Sequence, residues 1–173
     1  KMNITRTELN FAVTLFGVEK IIGFEHLLIS DVDERLAFLE DKKEELVADG
    51  SLIEKDEKYH FEPMRLYVMA ILALPKSVLT LQGVDAPKER MIAYYFGTEG
   101  HVVELVYVGE EDVELHAFAS VESALKRIVT ALDYRSHAGE LVAYHATESG
   151  LAVFETMQLT DTPTLDSLQT LLL

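Results

Sequence analysis

Apolar residues recur at helical spacing from the first turn of the chain. The tetrad TRTE at residues 5–8 reads as a capping box, in which a hydroxyl and a carboxylate each satisfy an otherwise unpaired amide. Leu9, Ala12, Val13 and Phe16 then fall on one face, and Gly17 ends the run. The segment VEKIIGFEHLLI predicts a helical turn or two broken at Gly23. DVDE at residues 31–34 is a second capping signal. It opens a helix with Leu36, Leu39, Leu46 and Val47 inside and Gly50 just past its end. Leu52 and Ile53 face Tyr59 and Phe61 across the polar turn EKDEK. Pro63 suits the first position of a helix that runs to about Leu74, before Pro75. Helix, hairpin and helix in this order give residues 1–75 the outline of a winged-helix-like lobe.

The period then changes to two. Strands are expected at 77–82, 90–96, 101–108 and 113–118, separated by GVDAPKE, GTEG and GEED, which makes an antiparallel meander. Ser120 caps a helix with Val121, Leu125, Ile128 and Leu132 on its face. Strands at 140–145 and 151–159 follow, and Thr162-Pro163 starts a last helix ending in LLL. The predicted fold is α+β: the helical lobe packs on a mostly antiparallel sheet with flanking helices, residues 76–173, the two forming one integrated domain. The sheet strands are apolar on both sides. Val103, Leu105 and Tyr107 oppose Val102, Val106 and Val108, and Ile92, Tyr94 and Phe96 oppose Met91, Ala93 and Tyr95. Either helices cover both faces, or part of a face or an edge receives another chain. The stripe of Leu165, Leu168 and Leu172 in the last helix leaves a similar choice between core and interface.

Composition narrows the function. With 173 residues and nearly half of them apolar, the chain is long enough to bury a core. It holds no cysteine, no apolar run near the length of a membrane span, and no leader-like start, so a cytoplasmic protein is expected. Lys1 ahead of Met2 reads as a tag remnant. The net charge is −15, from 15 Lys and Arg against 30 Asp and Glu. Each phosphate contact needs a cation, and the helix from residue 31 to 49 carries Asp33, Glu34, Glu40, Asp41, Glu44 and Glu45 against Arg35, Lys42 and Lys43. Neither nucleic acid nor an anionic membrane is expected as a partner.

Motifs for catalysis are missing from the sequence: there is no GxSxG, HExxH, GxGxxG or glycine-rich phosphate loop. No two of His26, His60, His101, His116, His137 and His145 sit at the i, i+4 spacing that grips a metal on a helix. The Asp31–Asp33 pair reads as capping, and Glu110, Glu111 and Asp112 as a solvated hairpin tip. No catalytic residue, metal ligand or cofactor is assigned, and the chain is expected not to be an enzyme.

The order of the elements does carry a likeness. A capped helix TELNFAVTLFG precedes a polar helix ending KKEELVADGSLI. A short wing then leads into KYHFEPMRLYVMAILALP, followed by the strand SVLTLQG and the meander. Leu46, Gly50, Leu52, Ile53, Pro63, Leu72, Pro75, Leu79 and Leu81 stand at the matching positions. Over residues 4–132 the chain thereby resembles the N-terminal half of EspG-like proteins, the cytoplasmic specificity chaperones of type VII (ESX) secretion systems. The resemblance implies a central sheet flanked by helical lobes and an activity without catalysis. That activity is to bind a helical secreted protein (WXG100-like, LXG-like or PPE-like), keep it soluble and present it to the secretion ATPase. It also implies a contact surface at Phe96, Gly97, Thr98, Glu99, Gly100 and His101, and it leaves homodimerisation open.

Two other classes remain open on the sequence. One is a winged-helix transcription regulator with an appended ligand-sensing sheet, which would need a contiguous positive face around Lys42, Lys43, Lys55 and Lys58. The other is a small-molecule enzyme domain, which would need a deep pocket with convergent His and carboxylate groups.

Overall fold

A computed structural model describes residues 1–18, 21–23, 31–83, 92–107, 112–133, 139–147 and 150–158. The chain opens with a short strand, β1 (Met2–Thr5), that the helical periodicity hides, and then enters α1 (Arg6–Phe16). Thr5 caps α1 by accepting from the Glu8 amide at 3.1 Å, and Gly17 closes it at φ 69°, where only glycine is unstrained. Asp31 caps α2 (Val32–Ala48) through the Glu34 amide, and Gly50 follows its end at φ 84°. The hairpin β2 (Leu52–Lys55) and β3 (Lys58–Phe61) turns through Asp56 and Glu57, both at positive φ, the signature of a two-residue primed turn. Pro63 then starts α3 (Pro63–Ala73).

The large sheet is built from β4 (Ser77–Gly83), β5 (Ile92–Phe96), β6 (Val102–Tyr107) and β7 (Asp112–Phe118), then, after α4 (Val121–Asp133), β8 (Gly139–Thr147) and β9 (Gly150–Gln158). Its order is β1-β7-β6-β5-β4-β8-β9, and every neighbouring pair is antiparallel. The four-strand meander is contiguous as expected. The chain then crosses one face through α4 to lay β8 beside β4. Together these elements make a mixed α+β fold, with the two-stranded hairpin as a second small sheet.

Alternation along the strands divides the core in two. Val78, Tyr95, Val103, Leu105 and Leu115 point to the side covered by α1, α2 and α3, where they meet Leu9, Val13, Leu46 and Leu72. Leu79, Tyr94, Phe96, Val102 and Leu141 point to the other, where Ala124, Leu125 and Ile128 of α4 cover them. Glu104 lies on this second side, 4% exposed, with its Oε2 3.5 Å from Arg127 Nε. The two apolar faces are thus closed by the protein's own helices across the described central strands, and they offer no broad surface to another chain. The lobe and the sheet share one of these cores, and β1 belongs to the sheet itself, so residues 1–75 are built into the sheet fold.

Some sequence expectations need correcting. Leu36 is 57% exposed, so the inner face of α2 rests on Leu46, with Leu39 and Val47 partly buried beside it. The wing register pairs Leu52 with Phe61 and Ile53 with His60. Leu132 as a contact residue, most of the 18–29 segment and the last helix all lie outside the described residues.

The second half of the capping box is diverted. Glu8 turns away from the Thr5 amide and is 1% exposed, where Arg65 Nη1 of α3 donates to both of its oxygens at 2.7 and 2.9 Å. Ser51 Oγ, at the entry to β2, donates to the same carboxylate at 3.4 Å, and Arg65 Nη2 donates to the Asn3 carbonyl of β1 at 3.3 Å. Four pieces of chain, β1, α1, the start of the hairpin and α3, therefore meet at one ion pair. Burial pushes the Glu8 carboxyl above its ordinary range, against the opposing pull of Arg65 and Ser51.

Removing Arg65 strands that carboxylate. Arg65→Ala is expected to lower the unfolding free energy by about 3 kcal/mol, the low end for breaking a buried pair, because the Arg65 side chain is itself 29% exposed. Urea titration measures it. A group whose pKa is raised by folding stabilises fully below its unfolded pKa, and loses that contribution as pH rises through its folded pKa. The stability gap between wild type and Glu8→Gln, which does not titrate there, should therefore narrow as pH rises above about 4 and through the raised folded pKa. A gap that widens over this range would reverse the assignment.

Candidate functional site

The sequence of α3, PMRLYVMAILA, is apolar nearly all round, which normally marks a helix buried on every side. Only one side is. Val68, Met69, Ile71 and Leu72 enter the core. Pro63, Leu66, Tyr67 and Ala70, spaced i, i+3, i+4, i+7, form a second apolar stripe that faces out, with Leu66 39% and Tyr67 40% exposed. This stripe is the floor of an open groove of about 900 Å³. One wall is Phe16 at the end of α1. The other is the hairpin, which contributes Ile53, Lys55, His60 and Phe61. Its volume lies at the upper end of the range for ligand sites, about 300–1,000 Å³, and its lining is almost entirely carbon.

The walls stay in place because of the polar tie beneath them. Glu8 of α1, Ser51 before β2 and Arg65 of α3 are the three contributors to the buried ion pair, one from each element bordering the groove. Edge-to-face packing of Phe11 on Phe61, with ring centroids 5.9 Å apart, adds an apolar tie between α1 and the hairpin.

The expected contact loop, residues 96–101, lies beside the groove without lining it. Phe96 is buried in the core under α4, and Thr98 and Glu99 are exposed at the turn. Gly97 donates to the His101 carbonyl at 2.8 Å, and Gly100 takes φ 77°. His101 alone reaches the groove residues: its Nδ1 is hydrogen-bonded to the Tyr67 hydroxyl, and the two rings meet edge to face at 5.5 Å. The loop thus buttresses Tyr67 from behind.

The other singled-out residues do not converge. His60 is on the groove wall, whereas His116 faces Glu104 on the opposite side of the sheet, with Nδ1 4.0 Å from Oε1. His145 is exposed on β8, and His26 and His137 lie outside the described residues, as do Glu110 and Glu111. Asp31 acts as a helix cap. Among the described residues no group of three or more His, Asp or Glu side chains is placed to hold a metal ion, and no helix is long and apolar enough to cross a membrane. The signal for the groove was present in the sequence as the second stripe on α3. It was masked because the same helix also carries a complete core-facing stripe.

Comparison with protein-family models gives no match for this chain, and comparison with curated proteins gives no relative.

The support of Tyr67 by the loop can be measured. A Cβ on Gly97 would sit 3.3 Å from both the His101 carbonyl oxygen and Ile71 Cγ1, and a backbone oxygen held by its own hydrogen bond yields little. Gly97→Ala is expected to cost about 1 kcal/mol in denaturant unfolding. An unchanged midpoint would show that the loop and α3 are not in firm contact.

Proposed function

We propose that this protein is a polypeptide-binding adaptor or chaperone that takes an apolar helix of a partner protein into the groove over α3. The observation that carries the reading is the solvent-facing stripe of Pro63, Leu66, Tyr67 and Ala70 between two walls. A helix laid in a groove is read through anchors at i, i+3, i+4 and i+7, and an apolar helix face of that spacing with a wall on each side offers the matching surface. Tyr67 and the neighbouring aromatic rings are of the kind that supply most of the energy at such interfaces. The resemblance to EspG-like proteins gives the setting: a cytoplasmic chaperone for helical substrates of a type VII secretion system, acting without catalysis or cofactor.

The reading differs from the sequence expectation in where the partner sits. The apolar sheet faces argued for polypeptide capture there, and they are covered; the groove takes over that role. The loop at residues 96–101 supports it through the contact between His101 and Tyr67.

A nucleic-acid-binding regulator has less support. Lys42 is paired with Glu45 at 2.9 Å and Asp41 at 3.5 Å, and Lys43 with Glu40 at 2.6 Å, so both lysines of α2 are paired within their own helix. Lys43 also lies over the Tyr59 ring, on the side of the hairpin away from the groove. Lys42 and Lys43 do not join Lys55 and Lys58 in one positive face.

Co-expression with helical open reading frames adjacent to its gene, followed by size exclusion, tests the proposal. A stable complex is expected, and Leu66→Glu should weaken it by more than about tenfold while leaving the far-UV spectrum unchanged. A complex indifferent to Leu66→Glu in a folded variant would place the contact elsewhere and refute the groove reading.

A further inference from the structure

We infer that the helix accepted by the groove is acidic on its flank toward the hairpin. The inference rests on the groove reading above and adds the charge of the partner. It comes from the register of β2 and β3. Residues directly opposite in an antiparallel pair share a face, as do residues two apart along a strand. Ile53 pairs with His60 and Lys55 with Lys58, so these four lie on one face of the hairpin. Three of the four hairpin residues that line the groove, Ile53, Lys55 and His60, lie on that face, which makes it the main wall; Phe61, the last residue of β3, is on the other face.

The carboxylates of the hairpin are elsewhere. Glu54 is on the opposite face, where it accepts from the Tyr59 hydroxyl at 3.4 Å, and Asp56 and Glu57 form the turn. Glu62, at the start of α3, is occupied in capping the Arg65 amide at 3.0 Å. Among the described residues no acid lines the groove, and Lys55 and Lys58 are in no ion pair. A protein with a net charge of −15 therefore presents, along this apolar groove, a wall of Lys55, Lys58 and His60.

Long-range repulsion does not cancel this arrangement. Exposed charges farther apart than about 8–10 Å are screened at physiological salt, so the side chains in contact decide the preference. An apolar stripe settling on Leu66 and Tyr67 would bring the flank of its helix against Lys55 and Lys58. Glutamates there pair with the lysines, and lysines there meet like charge.

Three labelled peptides test this on the full chain by fluorescence anisotropy. All carry leucines at i, i+3, i+4 and i+7, and the first two carry a side-chain staple that holds the helix. One has a glutamate flank, one a lysine flank, and one is an unstapled copy of the glutamate peptide with a central proline. The glutamate helix should bind about five- to tenfold more tightly than the lysine helix, as expected for two exposed ion pairs. The preference should invert in the double variant Lys55→Glu, Lys58→Glu. Equal binding of the two helices, or tighter binding of the lysine helix, overturns the charge inference while the groove reading stands. Failure of both helices to bind overturns the groove reading and this inference with it. Binding of the proline peptide as tightly as its helical parent means the site reads apolar anions rather than a helix, and also overturns it. A chain found dimeric by light scattering, and made monomeric by Leu66→Glu, places a second copy in the groove and overturns it as well.

Discussion

The ion pair between Glu8 and Arg65 is the constraint around which the helical half of the molecule is arranged. A carboxylate at 1% exposure needs a cation within reach, and the seating of α3 against α1 brings the guanidinium to both oxygens. The same guanidinium reaches the Asn3 carbonyl, and the same carboxylate receives the Ser51 hydroxyl, so β1 and the hairpin entry are fixed by the one interaction. A buried pair of this kind is a weak source of stability and a strong source of specificity in placement. Here what it places is a groove floor and its two walls.

That placement explains how a helix can be apolar on two opposite sides without being buried on both. Val68 and Leu72 satisfy the core, and Leu66 and Tyr67 remain at a surface that the neighbouring elements frame but do not cover. The hydrophobic effect acts on both stripes alike. What separates them is geometry: the hairpin and the end of α1 stand beside the outer stripe as walls.

Much of the architecture was legible in the residues. The caps at Thr5 and Asp31, the stops at Gly17 and Gly50, and the start at Pro63 are local chemistry, and local chemistry is written in adjacent positions. The four central strands followed from period-two alternation. What alternation cannot give is order in space: the crossing of α4 that sets β8 beside β4 depends on contacts some sixty residues apart, such as Leu81 with Leu141. β1 was missed because its first three residues lie just ahead of a strong capping signal and its fourth, Thr5, belongs to that signal. Glu8 misled for a related reason, since its capping role was evident and its buried partner stands 57 positions away. The groove was hidden by the abundance of its own signal, because an apolar helix carries its core-facing and its outward stripe together.

The outermost place of β1 beside β7 has a consequence for the way the molecule is made. Met2 lies opposite Leu115 and Thr5 opposite Asp112, so β1 has no ladder to join until more than a hundred further residues have been synthesised. The meander from β4 to β7, whose pairings are nearly all between chain neighbours, can assemble in the order of its synthesis. The N-terminal strand closes onto it afterwards.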